Sequence, residues 1–306
     1  MRENKLPIHM NHAGSSKTLG IITIATGKYY EEFIPNLKAS VDQFFNFDSY
    51  TINFYCFTDS VVQMDGVHNI AIKHLGWPFS TLLRYHWIQK NIAKLEQHDF
   101  LLYMDADMRV VATPPASILK HPLIAVRHPG YTNSPGPFEI DRQDSCYMAP
   151  PLRKNYYQGC FWGGQSTQFI ALINDLAQMV NEDLAVGNIP IWHDESYLNK
   201  FMATQECEAL PPTYAWPEGQ IATNQPYVLH LEKRHQIIRQ TSESRLNIND
   251  LILGGDCESE MEIYKKLYLK AHEKCQRLEN RLVQNNSLWS KCREWLAYYK
   301  NRTNAE

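Results

Sequence analysis

The chain has 306 residues, 44% of them apolar, enough to build a large core in one big domain or two smaller ones, and a net charge of -3. That balance excludes a disordered chain and a partner held mainly by basic charge, such as a nucleic acid backbone, and favours small or neutral ligands. No apolar run approaches the roughly 20 residues that span a bilayer, the opening MRENKLPIHMNHAG is neither signal peptide nor anchor, and seven cysteines, an odd number without zinc spacing, suit a reducing compartment, so a cytoplasmic protein is predicted.

After a polar arm over 1–17, Thr18–Ala25 (TLGIITIA) predicts a buried strand, and Tyr30, Phe33, Leu37, Val41 and Phe44 recur at helical spacing over Lys28–Phe45. Ile52–Phe57 and Val67–Ile72 predict two further strands. Ser80–Leu95 predicts a helix, capped by Ser80 or Thr81, with Arg84 near its start. Phe100–Met104 (FLLYM) then completes the β-α-β-β-α-β rhythm of a doubly wound α/β nucleotide-binding half. This strand ends in Asp105 and Asp107, at the carboxyl edge where ligands of such sheets sit. Two carboxylates there repel and are costly to bury. A divalent cation shared with phosphate oxygens, Mn2+ or Mg2+, is one remedy. Capping a turn or facing water is the other, and D-x-D alone does not choose between them.

From Thr113 to Gly164 the chain is rich in Pro, Gly and aromatics, including His128 in HPGY and the run YYQGCFWGG at Tyr156–Gly164, which predicts a long, ordered, functional loop region. Ser166–Val186 predicts an amphipathic helix. In Trp192-His193-Asp194-Glu195-Ser196, Asp194 or Ser196 is placed to cap a short helix through Asn199. The three ionisable side chains there admit two readings: a Glu tuned by its neighbours as nucleophile or base, or acidic residues that complement a helix dipole. The spacing is not H-E-x-x-H, which argues against a zincin. Ala209–Gly219 predicts another loop, Tyr227–Leu231 a last strand, and Lys233–Arg239 a basic cluster, followed by a polar linker over 241–257. Over 258–300 the seam from Met261 to Tyr299 alternates steps of three and four, with Asn285 at a seam position. That pattern predicts a coiled-coil oligomerisation helix and hence a homo-oligomer; a long amphipathic helix folded back on the rest of the chain is the other reading.

Taken in order, ATGKYY, FYCFTD, LGWP with Arg84, MDADM, RHPGY, YYQGCFWGG, IWHDESYLNKF and the K-x-H-Q-x-x-R of Lys233 to Arg239 resemble one family. It is glycosyltransferase family 6, the retaining enzymes of the ABO blood-group and α-1,3-galactosyltransferase type, and the resemblance covers about Thr18 to Arg239. It implies a GT-A type fold: a single Rossmann-like nucleotide-sugar-binding domain over 18–240 with an acceptor subregion, the C-terminal coiled-coil helix being an addition outside the match. On this resemblance Ile24, Ala25, Thr26 and Tyr29 hold uridine, and Arg84 reaches the donor. Asp105 and Asp107 bind Mn2+, or Mg2+ in its place, and with it the diphosphate. His193 and Asp194 bind the donor sugar, while Lys233 and Arg239 fold over the diphosphate. His128 and Trp192 lie on the acceptor side, and Glu195 faces the anomeric carbon from that side. Many bacterial relatives replace both aspartates and dispense with metal; this chain keeps them.

The triplet Gln158-Gly159-Cys160 matches positions that set donor choice in that family: Cys160 leans towards galactose, whereas Gln158 departs from the pattern, and the segment Asp141–Pro150 is shortened. The implied reaction moves galactose or N-acetylgalactosamine from a UDP-sugar to an oligosaccharide acceptor, a β-galactoside with or without a 2'-fucose, forming an α-1,3 linkage. Animal members are anchored in the Golgi, and a chain without an anchor resembles a bacterial or phage member. The rival reading is a catalytically idle sugar-binding scaffold on a coiled-coil stalk, against which the intact Asp105, Asp107 and Glu195 speak. A D-x-D phosphohydrolase is disfavoured because Asp105 lies far from the N-terminal strand.

Overall fold

The computed structural model describes residues 16–75, 79–140, 144–186 and 188–233; the coiled coil expected over 258–300 and Arg239 lie outside the described residues. The chain opens with β1 (Lys17–Ile24), α1 (Lys28–Phe44), β2 (Tyr50–Thr58) and β3 (Val67–Ala71). Three short helices follow, α2 (Phe79–Leu82), α3 (Arg84–Gln89) and α4 (Ile92–Leu95), and then β4 (Phe100–Met104) and β5 (Met108–Val110). Among the described residues there follow β6 (Leu123–Arg127), β7 (Tyr157–Gln165), α5 (Ser166–Ala185), α6 (Asp194–Met202), β8 (Glu208–Leu210), β9 (Trp216–Pro217) and β10 (Val228–His230).

A large sheet has the order β3-β2-β1-β4-β7-β6-β8, and a small one has the order β5-β10-β9. In the large sheet β1 is parallel to β2 and β4, β2 to β3, and β6 to β8, whereas β7 runs antiparallel to both β4 and β6. Every residue of β4 is buried, and the pleat deals them alternately to two cores. Phe100, Leu102 and Met104 pack with α1 residues such as Tyr30, Phe33 and Leu37, while Leu101 and Tyr103 pack with α3 and α5 residues such as Tyr85, Trp87 and Leu172. A parallel-rich sheet covered by helices on both faces is the GT-A-like arrangement that the resemblance implies.

This construction explains three departures from the sequence reading. The helix expected from Ser80 to Leu95 is interrupted at Leu83 (φ -93, ψ 9) and Asn91 (φ -120, ψ 17), and it is not capped by Ser80 or Thr81, since α2 begins at Phe79. Asn91 donates from its amide to Trp87 O at 3.0 Å, the local bond that competes with a helix ladder. The region expected to be loop from Thr113 to Gly164 contains two inner strands, β6 and β7. Glycines at 163 and 164 are required there by close approach: a Cβ at Gly163 would lie 2.4 Å from Leu101 O, and one at Gly164 2.4 Å from Pro122 O. Finally, neither Asp194 nor Ser196 caps α6. His193 occupies that position, and the Asp194 carboxylate is drawn to Arg84 instead.

The register pairs Ile22 with Tyr103, so β1 and β4 end side by side. The turn of Ala25, Thr26 and Tyr29 therefore lies beside the exit of Asp105 and Asp107, and the Asp59 carboxylate ties that turn to the end of β2 by accepting from Gly27 N at 2.7 Å.

Candidate active site

A cleft at this edge is lined by nine of the residues singled out in the sequence: Arg84, Asp105, Gln158, Gly159, Cys160, Trp192, His193, Asp194 and Glu195. Thr81 and His230 also line it. Five segments remote in sequence thus converge: the break between α2 and α3, the end of β4, the first half of β7, the start of α6 and the end of β10.

Arg84, 5% exposed, organises the floor. Its Nε lies 3.1 Å from Asp194 Oδ2, its Nη1 donates to Gly159 O at 2.8 Å and stands 3.4 Å from Asp105 Oδ1, and its guanidinium lies 4.8 Å from the Tyr103 ring centroid. A buried guanidinium needs this set of partners. Burial opposes its charge, but Asp194, Tyr103 and Asp105 more than compensate, so it stays protonated well above the usual arginine range. Tyr103 Oη also donates to Asp105 Oδ1 at 2.8 Å. Burial raises the Asp194 carboxyl to about 6 in spite of Arg84.

Glu195 is held by two donors, Tyr156 Oη at 2.7 Å on Oε1 and Gly159 N at 2.8 Å on Oε2. Burial raises its pKa to about 7, and those two hydrogen bonds limit the rise. A carboxylate poised near neutrality, hydrogen-bonded and facing a cleft, is suited to act as a base or to stabilise a cation. One turn along α6, Asn199 fixes its place. The Asn199 side chain accepts from Tyr157 N at 2.8 Å and donates to Tyr157 O at 2.8 Å and to Glu195 O at 2.9 Å, pinning α6 to β7. Asn199→Ala would leave the N–H and C=O of Tyr157, a residue 4% exposed, without these partners, at a cost of about 1–3 kcal/mol. A lower melting temperature and a lower kcat are expected together, and Asn199→Asp should not rescue either, because a carboxylate cannot donate to Tyr157 O.

His193 has φ 50, the only positive φ of a non-glycine among the described residues. Strain of this kind persists where the surroundings impose it, as at ligand sites. Burial lowers its imidazole to about 4, so it enters the cleft neutral. His128 stands apart from the cleft floor, in an aromatic cluster: its ring is 4.8 Å from Tyr131 and 6.0 Å from Tyr156, the residue that reaches Glu195.

Asp107, 2% exposed, faces the other end of the site. It forms an ion pair with Lys233, and His230 Nε2 lies 3.3 Å from its Oδ2. Burial raises its pKa, but Lys233 and His230 outweigh that and hold the carboxyl well below the usual range. Burial likewise disfavours the Lys233 charge, and Asp107 overcomes it. Ligand atoms of Asp105, Asp107 and His230 all lie within 4.8 Å of one another. Two carboxylates and an imidazole that converge around a position now balanced by an ammonium make a donor set that fits a divalent cation.

The sequence did not single out Tyr103, Tyr156, Asn199 or His230 for these places. Tyr156 and Asn199 lie inside quoted motifs and were open to notice; His230 left only the weak signal of a histidine in an otherwise apolar strand, three residues before Lys233.

Among the described residues no helix is long and apolar enough to cross a membrane. The model of glycosyltransferase family 6 matches residues 8–240. The O-antigen biosynthesis glycosyltransferase WbnI of Escherichia coli is 33% identical over 208 residues, covering 65% of this chain and 88% of that protein. Histo-blood group ABO system transferase 2 of Rattus norvegicus is 28% identical over 242 residues, 72% of this chain and 71% of the relative. Alpha-1,3-galactosyltransferase 2 of Homo sapiens is 24% identical over 243 residues, 72% and 70% of the two chains. With a cleft that gathers the family's motifs and a family match over most of its length, the chain belongs to glycosyltransferase family 6 and is a hexosyltransferase, acting between a nucleotide-sugar donor and a carbohydrate acceptor.

Proposed function

We propose that the chain is a retaining α-1,3-glycosyltransferase that moves galactose or N-acetylgalactosamine from its UDP-sugar to a β-galactoside, with or without a 2'-fucose, and depends on Mn2+. The observation that carries this reading is the convergence of Asp105 with Arg84, Asp194 and Glu195 on one cleft, with the Asp107 carboxylate grouped beside Asp105 at its edge. In the reaction the bond between the anomeric carbon and the diphosphate oxygen breaks, its electron pair leaves with UDP, and the sugar acquires oxocarbenium character. Asp105 and Asp107 would hold the metal, which supplies charge neutralisation at the diphosphate. Lys233 adds a protein cation at the same end, and Arg84 stays protonated beneath the donor. At the other end Glu195, aligned by Tyr156 and Gly159, meets the developing positive charge from the acceptor side. Asp194 and His193 bind the donor sugar, the turn of Ile24, Ala25, Thr26 and Tyr29 takes the uridine, and Trp192 and the His128 cluster receive the acceptor.

Incubation with UDP-galactose or UDP-N-acetylgalactosamine, each with lactose and 2'-fucosyllactose, tests the reading by product analysis; no product from any combination would reject it. Cys160 lines the cleft from the centre of β7. Cys160→Gly, by opening space next to the sugar, is expected to move the ratio of kcat/KM values towards N-acetylgalactosamine by about tenfold or more. Parallel kinetics with the two donors would show it.

A further inference from the structure

The cation site contains more than its two aspartates. His230 lies at the end of β10, where its residue pairs with Met108, directly after Asp107, and Leu231 N donates to Asp107 O at 2.8 Å. The imidazole is thus set against the Asp107 carboxylate by a backbone ladder and not by a loop. Its Nε2 is buried without a sound hydrogen bond and stands 3.3 Å from Asp107 Oδ2. On the far side of the ring, His230 Nδ1 lies 3.0 Å from the Gln158 side-chain nitrogen, while the Gln158 side-chain oxygen is buried with no partner. Turning that amide over places its oxygen on Nδ1, where it accepts from an Nδ1–H. This is the outer-sphere bond that leaves the Nε2 lone pair free for a metal.

We propose that His230 Nε2 is the third protein ligand of the divalent cation at Asp105 and Asp107, and that Gln158 is the positioning residue that fixes its tautomer and aim. The proposal rests on the reading of the two aspartates as metal ligands. It accounts for the departure of Gln158 from the donor-choice pattern: this side chain serves the metal and not the sugar. Lys233, now paired with Asp107, would give up that carboxylate to a bound cation and have its ammonium free for the diphosphate. An imidazole among carboxylates also shifts preference from Mg2+ towards Mn2+ and Co2+.

The test is Mn2+ binding to the full chain without nucleotide, followed by electron paramagnetic resonance. Echo-envelope modulation from a directly bound 14N is expected in the wild type and absent in both His230→Ala and His230→Gln, two variants being used in case one misfolds. Gln158→Leu should weaken Mn2+ binding by about 10- to 100-fold. Gln158→Glu, which still accepts from Nδ1–H, should retain it, and neither change should move the choice between the two donor sugars. Lys233→Ala should tighten Mn2+ binding. Bound Mn2+ without a 14N signal, a signal that survives loss of His230, or no Mn2+ binding at all would overturn the proposal. A 14N signal in a protein that transfers no sugar would leave the ligand set standing and reject the proposed reaction.

Discussion

Replacing Glu195 with glutamine is expected to lower transfer on the order of a thousandfold and, at alkaline pH, to make the protein more stable. Both effects have one cause. Burial lifts the Glu195 carboxyl from its ordinary 4.5 to about 7. The folded protein therefore keeps a proton on this group over a range in which the unfolded chain has released it. The resulting stability is complete below pH 4.5 and is lost as the pH rises through 7. Glutamine keeps the shape and the capacity to accept from Gly159 N, and it removes the charge. Melting temperatures should therefore coincide near pH 4.5, while at pH 8 the variant should melt higher by about 2–4 °C. The wild type should show kcat/KM rising with pH through about 7 as the carboxylate ionises. A variant with full activity would remove Glu195 from the mechanism, and a variant that melts lower at pH 8 would contradict the account of its burial.

Removing the metal should have an effect of the same order. EDTA is expected to suppress UDP-sugar turnover on the order of a thousandfold, with Mn2+ restoring it, because several kcal/mol of leaving-group stabilisation depend on the cation. Asp107→Asn should show the low rate even in excess Mn2+. This aspartate is buried and balanced by Lys233 and His230, so asparagine leaves two groups that bear or acquire positive charge without their counter-charge and weakens the cation site. Turnover undiminished by EDTA would mean that Lys233 and Arg84 suffice at the diphosphate.

The sequence was most informative where a short apolar run fixes its own fate. Phe100–Met104 is such a run, and its alternate residues fill both cores. It was least informative where a strand is built from residues that usually break strands. Tyr157–Gln165 runs through the large sheet, yet its Gly163 and Gly164 read as loop, because their role is to admit backbone from Leu101 and Pro122 and a single chain does not display its neighbours. Leu123–Arg127 was missed for a related reason: prolines at 122 and 129 closely bracket five residues, and only pairing with β7 and β8 makes them a strand. In the site, Asp105, Asp107, Arg84 and Glu195 were legible because they stand in ordered motifs. His230 was not, since its significance arises from the antiparallel pairing of β10 with β5, more than a hundred residues earlier in the chain.

The most direct test of the central claim is proton NMR of the product formed from UDP-galactose and lactose in Mn2+. A new galactosyl residue with the small H1–H2 coupling of an α-anomer, attached at O3 of the acceptor galactose and absent from the Asp107→Asn reaction, is the result expected. A β-anomer, or an α-product formed equally well by Asp107→Asn, would contradict it.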